Sequence, residues 1–365
     1  MITKEAVLEA LSNVQEPDLG KDLVTLNMIS NIEIDGNSVS FTVMLTTPAC
    51  PLKAMIEKAC INAIHHLVDK KAEVTVKMDA SVNSNRKDNK AVLPGVKNII
   101  MVASGKGGVG KSTVAVNLAI GLAQEGSKVG LLDADIYGPS IPIMLGIREE
   151  RPKIIEIKGE GLIVPIEKYG LKIMSIGLLI DEKQAVIWRG PMASSALKQF
   201  ITGVYWQDLD YLVIDLPPGT GDVHLTMVQT VPVTGAVIVS TPQAVAAADA
   251  QKAIMMFKQS QINVPILGIV ENMAYFSPAE LPNNKYYIFG KGGARKMAEQ
   301  FELPFLGEIP LVQSIREGGD SGVPAVIDDE PVAKKAFIDL AKRVAQNIAI
   351  RNANLEPTKV VQMND

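Results

Sequence analysis

One stretch of the sequence, residues 99–124, limits the possible folds of this chain more than any other. Apolar residues 99–103 run directly into a glycine-rich loop, and a helical apolar pattern follows over residues 114–124. The loop reads Gly105-Lys106-Gly107-Gly108-Val109-Gly110-Lys111-Ser112-Thr113. Strand, G-x-x-x-x-G-K-S and helix in this order are typical of a phosphate-binding loop, whose backbone N–H groups and helix N-terminus face a phosphate. We therefore expect the whole loop to contact a nucleotide.

Two side chains of this loop have expected roles of their own. Lys111 is expected to bridge the β- and γ-phosphates of ATP, and the Ser112 hydroxyl is expected to hold Mg²⁺. The alternative is a glycine-rich turn that matches the motif by chance. The flanking strand and helix patterns favour the phosphate site.

Three aspartates follow two further apolar segments. Asp133 and Asp135 come at the end of residues 129–132, and Asp215 ends residues 212–214. Ligands of open parallel sheets bind at the carboxyl ends of the strands, where these acids lie. We expect Asp215 and Asp133 to act on Mg²⁺ through its water shell and Asp135 to position the attacking water. The alternative is that the acids only cap the next helix.

The pattern changes along the chain and predicts the fold class. After residue 95, short apolar segments alternate with longer helical ones, which is typical of a mainly parallel α/β sheet flanked by helices. The expected strands are residues 98–103, 128–133, 171–175, 211–215, 235–240, 266–271 and 305–309. A small α+β domain precedes this sheet, with expected helices 3–12 and 51–68 and expected strands 29–34, 38–45 and 73–78.

A polar stretch divides the two parts. Residues 81–95 hold several Asn and Ser around a cluster of charges, without apolar periodicity, which is typical of a linker. The predicted organisation is therefore a small α+β domain over residues 1–80, a linker over 81–95, a nucleotide-binding domain over 96–350 and a flexible tail over 351–365.

Composition disfavours several other classes of protein. The net charge of −4 provides no overall basic field for nucleic acid. Residues 1–20 lack the apolar core of an export signal, and the longest uncharged stretch, residues 223–248, contains Pro232 and Pro242, which argues against a membrane-spanning helix. The two cysteines, Cys50 and Cys60, fit a reducing compartment. We expect a cytoplasmic protein without nucleic-acid or membrane partners.

Lys106 and four further stretches carry a resemblance to a known family. The stretches are Asp133-Ala134-Asp135-Ile136-Tyr137-Gly138-Pro139-Ser140, Trp188-Arg189-Gly190-Pro191-Met192, Asp215-Leu216-Pro217-Pro218-Gly219-Thr220-Gly221-Asp222 and Glu271-Asn272-Met273-Ala274-Tyr275-Phe276. Together with the G-K-G-G-V-G-K-S-T loop they resemble the Mrp/ApbC iron–sulfur cluster carrier ATPases, part of the deviant Walker A class that includes MinD and ParA. The Thr-Thr-Pro-Ala-Cys-Pro segment at residues 46–51 is similar to a small domain linked to iron–sulfur assembly.

The resemblance implies a Mg²⁺-dependent ATPase that takes part in the assembly or transfer of iron–sulfur clusters to apoproteins. It implies a homodimer that encloses ATP, in which Lys106 reaches a phosphate held by the partner subunit. It also implies that Asn272 contacts adenine. The alternative for Lys106 is an exposed lysine without a catalytic task, and the alternative for Asn272 is an asparagine that only forms a turn. Apoprotein clients or iron–sulfur assembly proteins are the implied partners.

The chain departs from this family in its cysteines. Where the carriers have a Cys-x-x-Cys pair, this chain has Ser277-Pro278-Ala279-Glu280, and no cysteine lies beyond Cys60. Because a [4Fe–4S] cluster normally takes four thiolates, the usual cluster site is absent. Cys50, at an expected helix start where a thiol pKa falls, is the candidate cluster thiolate, with a structural small residue as the alternative. Cys60 lies in a helical apolar stripe and is expected in the core.

Several roles stay open at this point. His224 could sense the nucleotide state or be a loop histidine without such a task, and Arg189 could face a subunit interface or form a structural salt bridge. Two other functions also remain. One is an ATP-gated scaffold in cluster assembly that holds no cluster. The other is a MinD/ParA-like positioning ATPase, which would need a membrane-binding or basic segment that residues 355–365 do not provide.

Overall fold

The computed structural model describes residues 2–86, 92–157, 159–179, 190–278, 280–281 and 284–361. Contacts group the chain into two units. The N-terminal unit comprises Met1–Asn83 and Ala345–Leu355, and the sheet unit comprises Ser84–Val344 and Glu356–Asp365. Arg189, whose role the sequence leaves open, lies outside the described residues.

The N-terminal unit is a small α+β fold. Its elements are α1 (Lys4–Leu11), β1 (Gln15–Glu16), β2 (Lys21–Asp22), β3 (Ile29–Asp35), β4 (Ser38–Leu45), α2 (Lys53–Leu67) and β5 (Glu73–Ala80). Strand β4 pairs antiparallel with β3 and parallel with β5. Apolar side chains of α1, β4 and α2, among them Leu11, Phe41 and Ile56, form its core. The helices and strands that the sequence predicts here are confirmed to within two residues at each end.

The sheet unit contains the remaining elements. In chain order they are β6 (Val96–Ser104), α3 (Lys111–Gln124), β7 (Val129–Asp133), α4 (Ile141–Met144), β8 (Ile154–Ile157), β9 (Glu160–Ile163), β10 (Ile166–Lys168), β11 (Leu171–Ser175), a 3₁₀ turn (Ile176–Leu178), α5 (Gly190–Thr202), β12 (Leu209–Asp215), α6 (Asp222–Thr230), β13 (Gly235–Ser240), α7 (Ala244–Lys258), β14 (Ile266–Glu271), α8 (Gly293–Gln300), β15 (Phe305–Glu308), α9 (Gln313–Ser321) and α10 (Pro331–Asn354).

Eight of the described strands of this unit form one sheet in the order β10-β11-β7-β12-β6-β13-β14-β15, and β8 and β9 form a separate antiparallel pair. Neighbouring strands run parallel except β10, which is antiparallel to β11. The predicted mainly parallel α/β fold is therefore confirmed. The sequence did not predict β8, β9 and β10. These strands are short and partly exposed, so they lack the continuous apolar run that marks the other strands.

The sheet topology places the carboxyl ends of the central strands around one crevice. Strands β7 and β13 are buried along their whole length, as expected when helices cover both faces of a parallel sheet. From β6 the chain moves to one side of the sheet, to β7 and β11, and from β12 it moves to the other side, to β13, β14 and β15. Such a reversal of strand order opens a ligand-binding crevice beyond the carboxyl ends of the strands.

The end of the chain differs from the expected flexible tail. Helix α10 continues to Asn354, and the Thr358 N–H donates to the Asn85 carbonyl at 2.8 Å. The Val361 N–H donates to the Val228 carbonyl at 3.0 Å. Backbone hydrogen bonds to partners distant in sequence therefore hold residues 355–361, which local composition does not reveal. Among the helices of the described residues, none combines the length and the apolar character that a membrane crossing needs.

Candidate functional site

The glycine-rich loop connects β6 to α3 at the centre of the sheet, and close contacts require glycine at two of its positions. A Cβ atom on Gly105 would lie 2.0 Å from the backbone carbonyl carbon of Asp249. Gly110 has a φ of +78°, and a Cβ atom there would lie 2.2 Å from Nδ2 of Asn272. A Cβ atom on Gly107, in contrast, would have only one neighbour within 4 Å, Cγ of Pro218 at 4.0 Å. The loop is thus closely packed at Gly105 and Gly110 and open at Gly107.

Lys111, the first residue of α3, forms a buried ion pair with Asp215 at the end of β12. Its Nζ atom lies 2.6 Å from Asp215 Oδ1 and 3.3 Å from Ser112 Oγ. The Lys111 and Asp215 side chains are 7% and 0% exposed. Lys106, earlier in the loop, is half-buried, and its carbonyl accepts a hydrogen bond from Ser104 Oγ.

Strand register aligns three polar side chains in a row across β11, β7 and β12. Ser175 is the register partner of Asp133, and Asp133 is the register partner of Asp215. The Ser175 hydroxyl donates to Asp133 Oδ2 at 2.9 Å. Burial and the neighbouring Asp215 carboxylate raise the pKa of Asp133 to about 7, against the hydrogen bond from Ser175. Ser175 is a site residue that sequence reasoning missed, although its place at a strand end was available as a signal.

The Asp215 carboxylate has one oxygen without a hydrogen-bond partner. Burial raises the pKa of Asp215, and the ion pair with Lys111 opposes that rise. Within the described residues, Asp215 Oδ2 is buried and accepts no hydrogen bond. An unsatisfied carboxylate oxygen beside a second buried carboxylate and a hydroxyl is an oxygen-donor set of the kind that Mg²⁺ prefers. Asp133, Asp215 and Ser112 therefore fit a divalent cation.

Asp135 lies beyond the end of β7, in the loop that follows. It is half-buried, its Oδ1 atom accepts from the Gly138 N–H at 3.2 Å, and burial raises its pKa. Asp133 also accepts weakly from the N–H of Ile141, the first residue of α4, at 3.4 Å. Asp133 therefore caps helix α4 only weakly, because its hydrogen bond from the Ile141 N–H is longer than the one from the Ser175 hydroxyl.

Asn272 contacts the phosphate-binding loop directly. Its Nδ2 atom donates to the Val109 carbonyl at 2.8 Å, and its own N–H donates to the Ser240 carbonyl at 2.8 Å. The adjacent Glu271 is buried, and its carboxylate accepts from the N–H groups of Gly292 and Ala294 at the start of α8. Glu271 therefore connects the start of α8 to the end of β14. Asn272, which follows β14, connects the phosphate-binding loop and the end of β13 to the same place. The role of Glu271 was not identified from the sequence.

The cysteines require a correction. Helix α2 begins at Lys53, and Cys50 lies just before its N-terminus, as expected. Burial raises the pKa of the Cys50 thiol, and the Asp18 and Glu16 carboxylates raise it further. The expectation of a lowered thiol pKa is therefore wrong, because burial and carboxylates outweigh the backbone N–H groups.

Cys60 lies fully in the core, as predicted, and burial raises its pKa to about 12. The two cysteines of the chain therefore do not fit the four thiolates of a [4Fe–4S] cluster. No group of three or more His, Cys, Asp or Glu suited to a metal ion occurs in the part of the chain that the structure describes.

The histidines differ from one another in their surroundings. His65 Nε2 lies 3.0 Å from the Ala72 carbonyl, and His66 is exposed. His224 is on helix α6 and is 1% exposed, so it is not the loop histidine that the sequence suggested. His224 belongs to the sheet unit, whereas His65 and His66 belong to the N-terminal unit.

Comparison with known proteins finds matches to two parts of the chain. Residues 95–345 match the family model described as NUBPL iron-transfer P-loop NTPase, and residues 4–76 match the iron-sulfur cluster assembly protein model. An iron-sulfur cluster carrier protein of Synechocystis sp. is 48% identical over 352 residues, which are 96% of this chain and 99% of that protein. A protein of the same name from Deinococcus radiodurans is 46% identical over 98% of this chain and 99% of its own length.

A solved structure also matches a large part of this chain. The nucleotide-binding protein in complex with ADP from Archaeoglobus fulgidus is 40% identical, with a TM-score of 0.58, and the match covers 69% of this chain and 96% of that one. The resemblance drawn from the motifs is confirmed by these matches. Since the family model spans most of the sheet unit and the relatives align over nearly their whole length, this chain belongs to the NUBPL iron-transfer P-loop NTPase family.

Proposed function

We propose that this protein binds and hydrolyses ATP with Mg²⁺ and takes part in the assembly or transfer of iron–sulfur clusters to apoproteins. The observation that carries the proposal is the end-to-end similarity, over both units, to proteins named iron-sulfur cluster carrier protein. The buried Lys111–Asp215 pair beneath an open glycine-rich loop supports the nucleotide part.

The residues of the loop would act first, in binding the nucleotide. The N–H groups of Gly105 to Thr113 would surround the β-phosphate, and Lys111 would leave Asp215 for the β- and γ-phosphates. Ser112, Asp133 and Asp215 would hold Mg²⁺, which when bound neutralises phosphate charge. Asn272, oriented by the Val109 carbonyl, would use its remaining amide oxygen to accept from the adenine amino group.

Hydrolysis would require two further residues. Asp135, in the loop after β7, would position the attacking water. Lys106 of a second copy would neutralise charge that develops on the transferring phosphate, as an arginine finger does. A homodimer that encloses ATP is therefore part of the proposal, with apoproteins or iron–sulfur assembly proteins as further partners.

The nucleotide part is tested by ATPase assays with and without Mg²⁺. Lys111→Ala should lose both ATP binding and hydrolysis, whereas Lys106→Ala should lose hydrolysis and retain binding. Lys58→Ala, a change at an exposed lysine of the N-terminal unit, is the matched control and should behave as the wild type. Normal hydrolysis by Lys111→Ala would overturn the proposal. Equal loss of binding and hydrolysis in Lys106→Ala would contradict the proposed action of Lys106 on the nucleotide of a second copy.

A second candidate is an ATP-gated scaffold that holds no cluster. It is favoured by the cysteines: one is in the core, and the thiol pKa of the other is raised. Anaerobic reconstitution with iron and sulfide, followed by absorbance and iron counting, separates the two candidates. A stable cluster that is lost in Cys50→Ser and kept in Cys60→Ala supports a carrier. Absence of a cluster in the wild type supports the scaffold.

A further inference from the structure

Glu271, the last residue of β14, accepts hydrogen bonds from a second glycine-rich segment. Gly290-Lys291-Gly292-Gly293 leads into helix α8 and repeats the Gly-Lys-Gly-Gly order of the phosphate-binding loop. N–H groups at the start of a helix can hold an anion. Here the anion is a side chain of the protein, since Glu271 Oε1 accepts from the Gly292 N–H at 3.2 Å and Oε2 accepts from the Ala294 N–H at 2.6 Å.

The Glu271 side chain is deeply buried between β14 and α8. It is 1% exposed, and burial raises the pKa of its carboxyl, whereas the N–H groups of Ala294 and Gly292 lower it again. The start of α8 also lies close to the segment that follows β13, because a Cβ atom on Gly293 would lie 2.2 Å from the Pro242 carbonyl oxygen. A buried carboxylate that loses a donor must move or stay unsatisfied, so Glu271 fixes the end of β14 against α8.

The end of β14 leads directly to Asn272, the residue that is proposed to contact adenine. The Asn272 N–H donates to the Ser240 carbonyl, and its Nδ2 atom donates to the Val109 carbonyl, both at 2.8 Å. The Glu271 carbonyl, one residue earlier, accepts from the Ile309 N–H at 2.9 Å. Because the Val109 carbonyl is an acceptor, the amide nitrogen of Asn272 faces it, which leaves the amide oxygen for the base. The direction of that oxygen therefore depends on where the end of β14 is held.

We infer that Glu271 is a positioning residue for nucleotide selection: it holds the end of β14 on α8 and so directs the Asn272 amide oxygen at the amino group of adenine. A base with a carbonyl oxygen in place of that amino group would meet a second acceptor and bind more weakly. Glu271 needs no contact with the nucleotide for this role. The inference rests on the proposed function, because it concerns the nucleotide of the same site.

ADP and inosine diphosphate (IDP) are a suitable pair of probes, because they share the ribose and the phosphates and differ at the base, and their binding needs no hydrolysis. In calorimetric titrations with Mg²⁺ the wild type should bind ADP about tenfold more tightly than IDP, as expected for one hydrogen bond. In Glu271→Gln this ratio should fall towards one, because the amide presents an N–H group where the carboxylate accepts from two N–H donors. The ratio is the readout, since a general loss of folded protein lowers both affinities alike.

Three further variants complete the test. Asn272→Ala should lose the preference for ADP in the same way as Glu271→Gln. Glu271→Asp keeps the charge but shortens the reach of the carboxylate, so it should also lose the preference, and it replaces Glu271→Gln if that variant does not fold. Glu308→Gln is the matched control: Glu308 is the register partner of Glu271 on β15, is partly exposed and pairs with Arg295. This variant should keep the tenfold preference.

The outcomes separate this inference from the proposed function. A tenfold preference retained in Glu271→Gln, in Glu271→Asp or in Asn272→Ala would overturn the inference, and the first two results would leave Glu271 as a cap of α8 only. Equal affinity of the wild type for ADP and IDP would overturn it as well, while nucleotide binding itself would stand. A wild type that binds neither diphosphate would overturn the inference together with the proposed nucleotide function.

Discussion

Lys111 Nζ lies 2.6 Å from Asp215 Oδ1, and both side chains are almost completely buried. The lysine that is proposed to bind phosphate is thus paired with the aspartate that is proposed to hold the cation. Each group neutralises the other until a nucleotide and a cation can replace the pair. The nucleotide-free protein therefore depends on an ion pair that the loaded protein would no longer need.

Removal of one partner of this pair should destabilise the nucleotide-free protein. We expect Lys111→Met to lower the free energy of unfolding of the sheet unit by about 3 kcal/mol, because an unpaired buried carboxylate remains. Adding Asp215→Asn should restore part of the loss. Urea unfolding followed by tryptophan fluorescence reports on this unit, since Trp206 is buried in its core. Strictly additive effects in the double-mutant cycle would contradict a direct interaction.

The loop glycines should differ sharply in their tolerance of alanine. We expect Gly105→Ala to cost about 2–3 kcal/mol of folding stability, because its Cβ would meet the Asp249 carbonyl group at 2.0 Å. Gly107→Ala adds the same methyl group two residues away and should stay within about 1 kcal/mol of the wild type, because its Cβ has only one neighbour, at 4.0 Å. Chemical unfolding without nucleotide measures both, and similar losses would show that the loop is packed differently.

Ser175 should affect the use of Mg²⁺ through Asp133. We expect Ser175→Ala to raise the Mg²⁺ concentration for half-maximal ATPase activity by about tenfold, because Asp133 loses the hydroxyl that orients it. Ser240→Ala is a matched control at another strand end, where the hydroxyl donates to the Thr241 carbonyl instead of a carboxylate. A Mg²⁺ requirement that is unchanged in Ser175→Ala, or raised equally in both variants, would argue against this role.

The thiol of Cys50 should react slowly near neutral pH. Because burial and nearby carboxylates raise its pKa, the thiolate that reacts with iodoacetamide is scarce at pH 7 and grows only in alkaline solution. Mass spectrometry of the folded protein should find modification at Cys50 that accelerates with pH, while Cys60 stays unmodified. The Cys50→Ser protein should take up no label. Rapid labelling of Cys50 at pH 7 would instead indicate an activated thiol.

His224 should make stability depend on pH in mildly acidic solution. Its pKa in the folded protein, about 4, is below the value of about 6.5 in the unfolded chain, so the unfolded state binds the proton first. The stabilisation is complete above about pH 6.5 and is lost as pH falls towards 4, with a total near 3 kcal/mol. The difference in stability between wild type and His224→Phe should therefore change over this window. A pH-independent difference for His224→Phe would contradict the buried neutral ring.

Local patterns predicted the loop and the strand ends well. The Gly105 to Thr113 segment carries strand, loop and helix signals within one continuous stretch, and a run of apolar residues marks each of the central strands. Asp133 and Asp215 were placed correctly at their strand ends because each directly follows such a run. Short-range sequence information is sufficient for features of this kind.

Features that depend on distant residues were not predictable in this way. Ser175 meets Asp133 across 42 residues, and Asn272 meets Val109 across 163 residues, so only the order of the strands in the folded sheet brings them together. The pKa of Cys50 depends on burial and on Glu16 and Asp18, which are separated from it in the sequence by strands β3 and β4. Residues 355–361 are held by backbone groups from other parts of the chain.

The row formed by Ser175, Asp133 and Asp215 has a consequence for how the chain folds. Its members come from three adjacent strands, and Lys111 and Asp215 are separated by 104 residues. Pairings so distant in sequence form slowly, and a chain with only local structure has no such site. A ligand that needs the complete row binds the finished sheet and not its precursors, so it stabilises only the product of folding. Nucleotide added during refolding should therefore protect completed molecules from unfolding and leave the rate of their formation nearly unchanged.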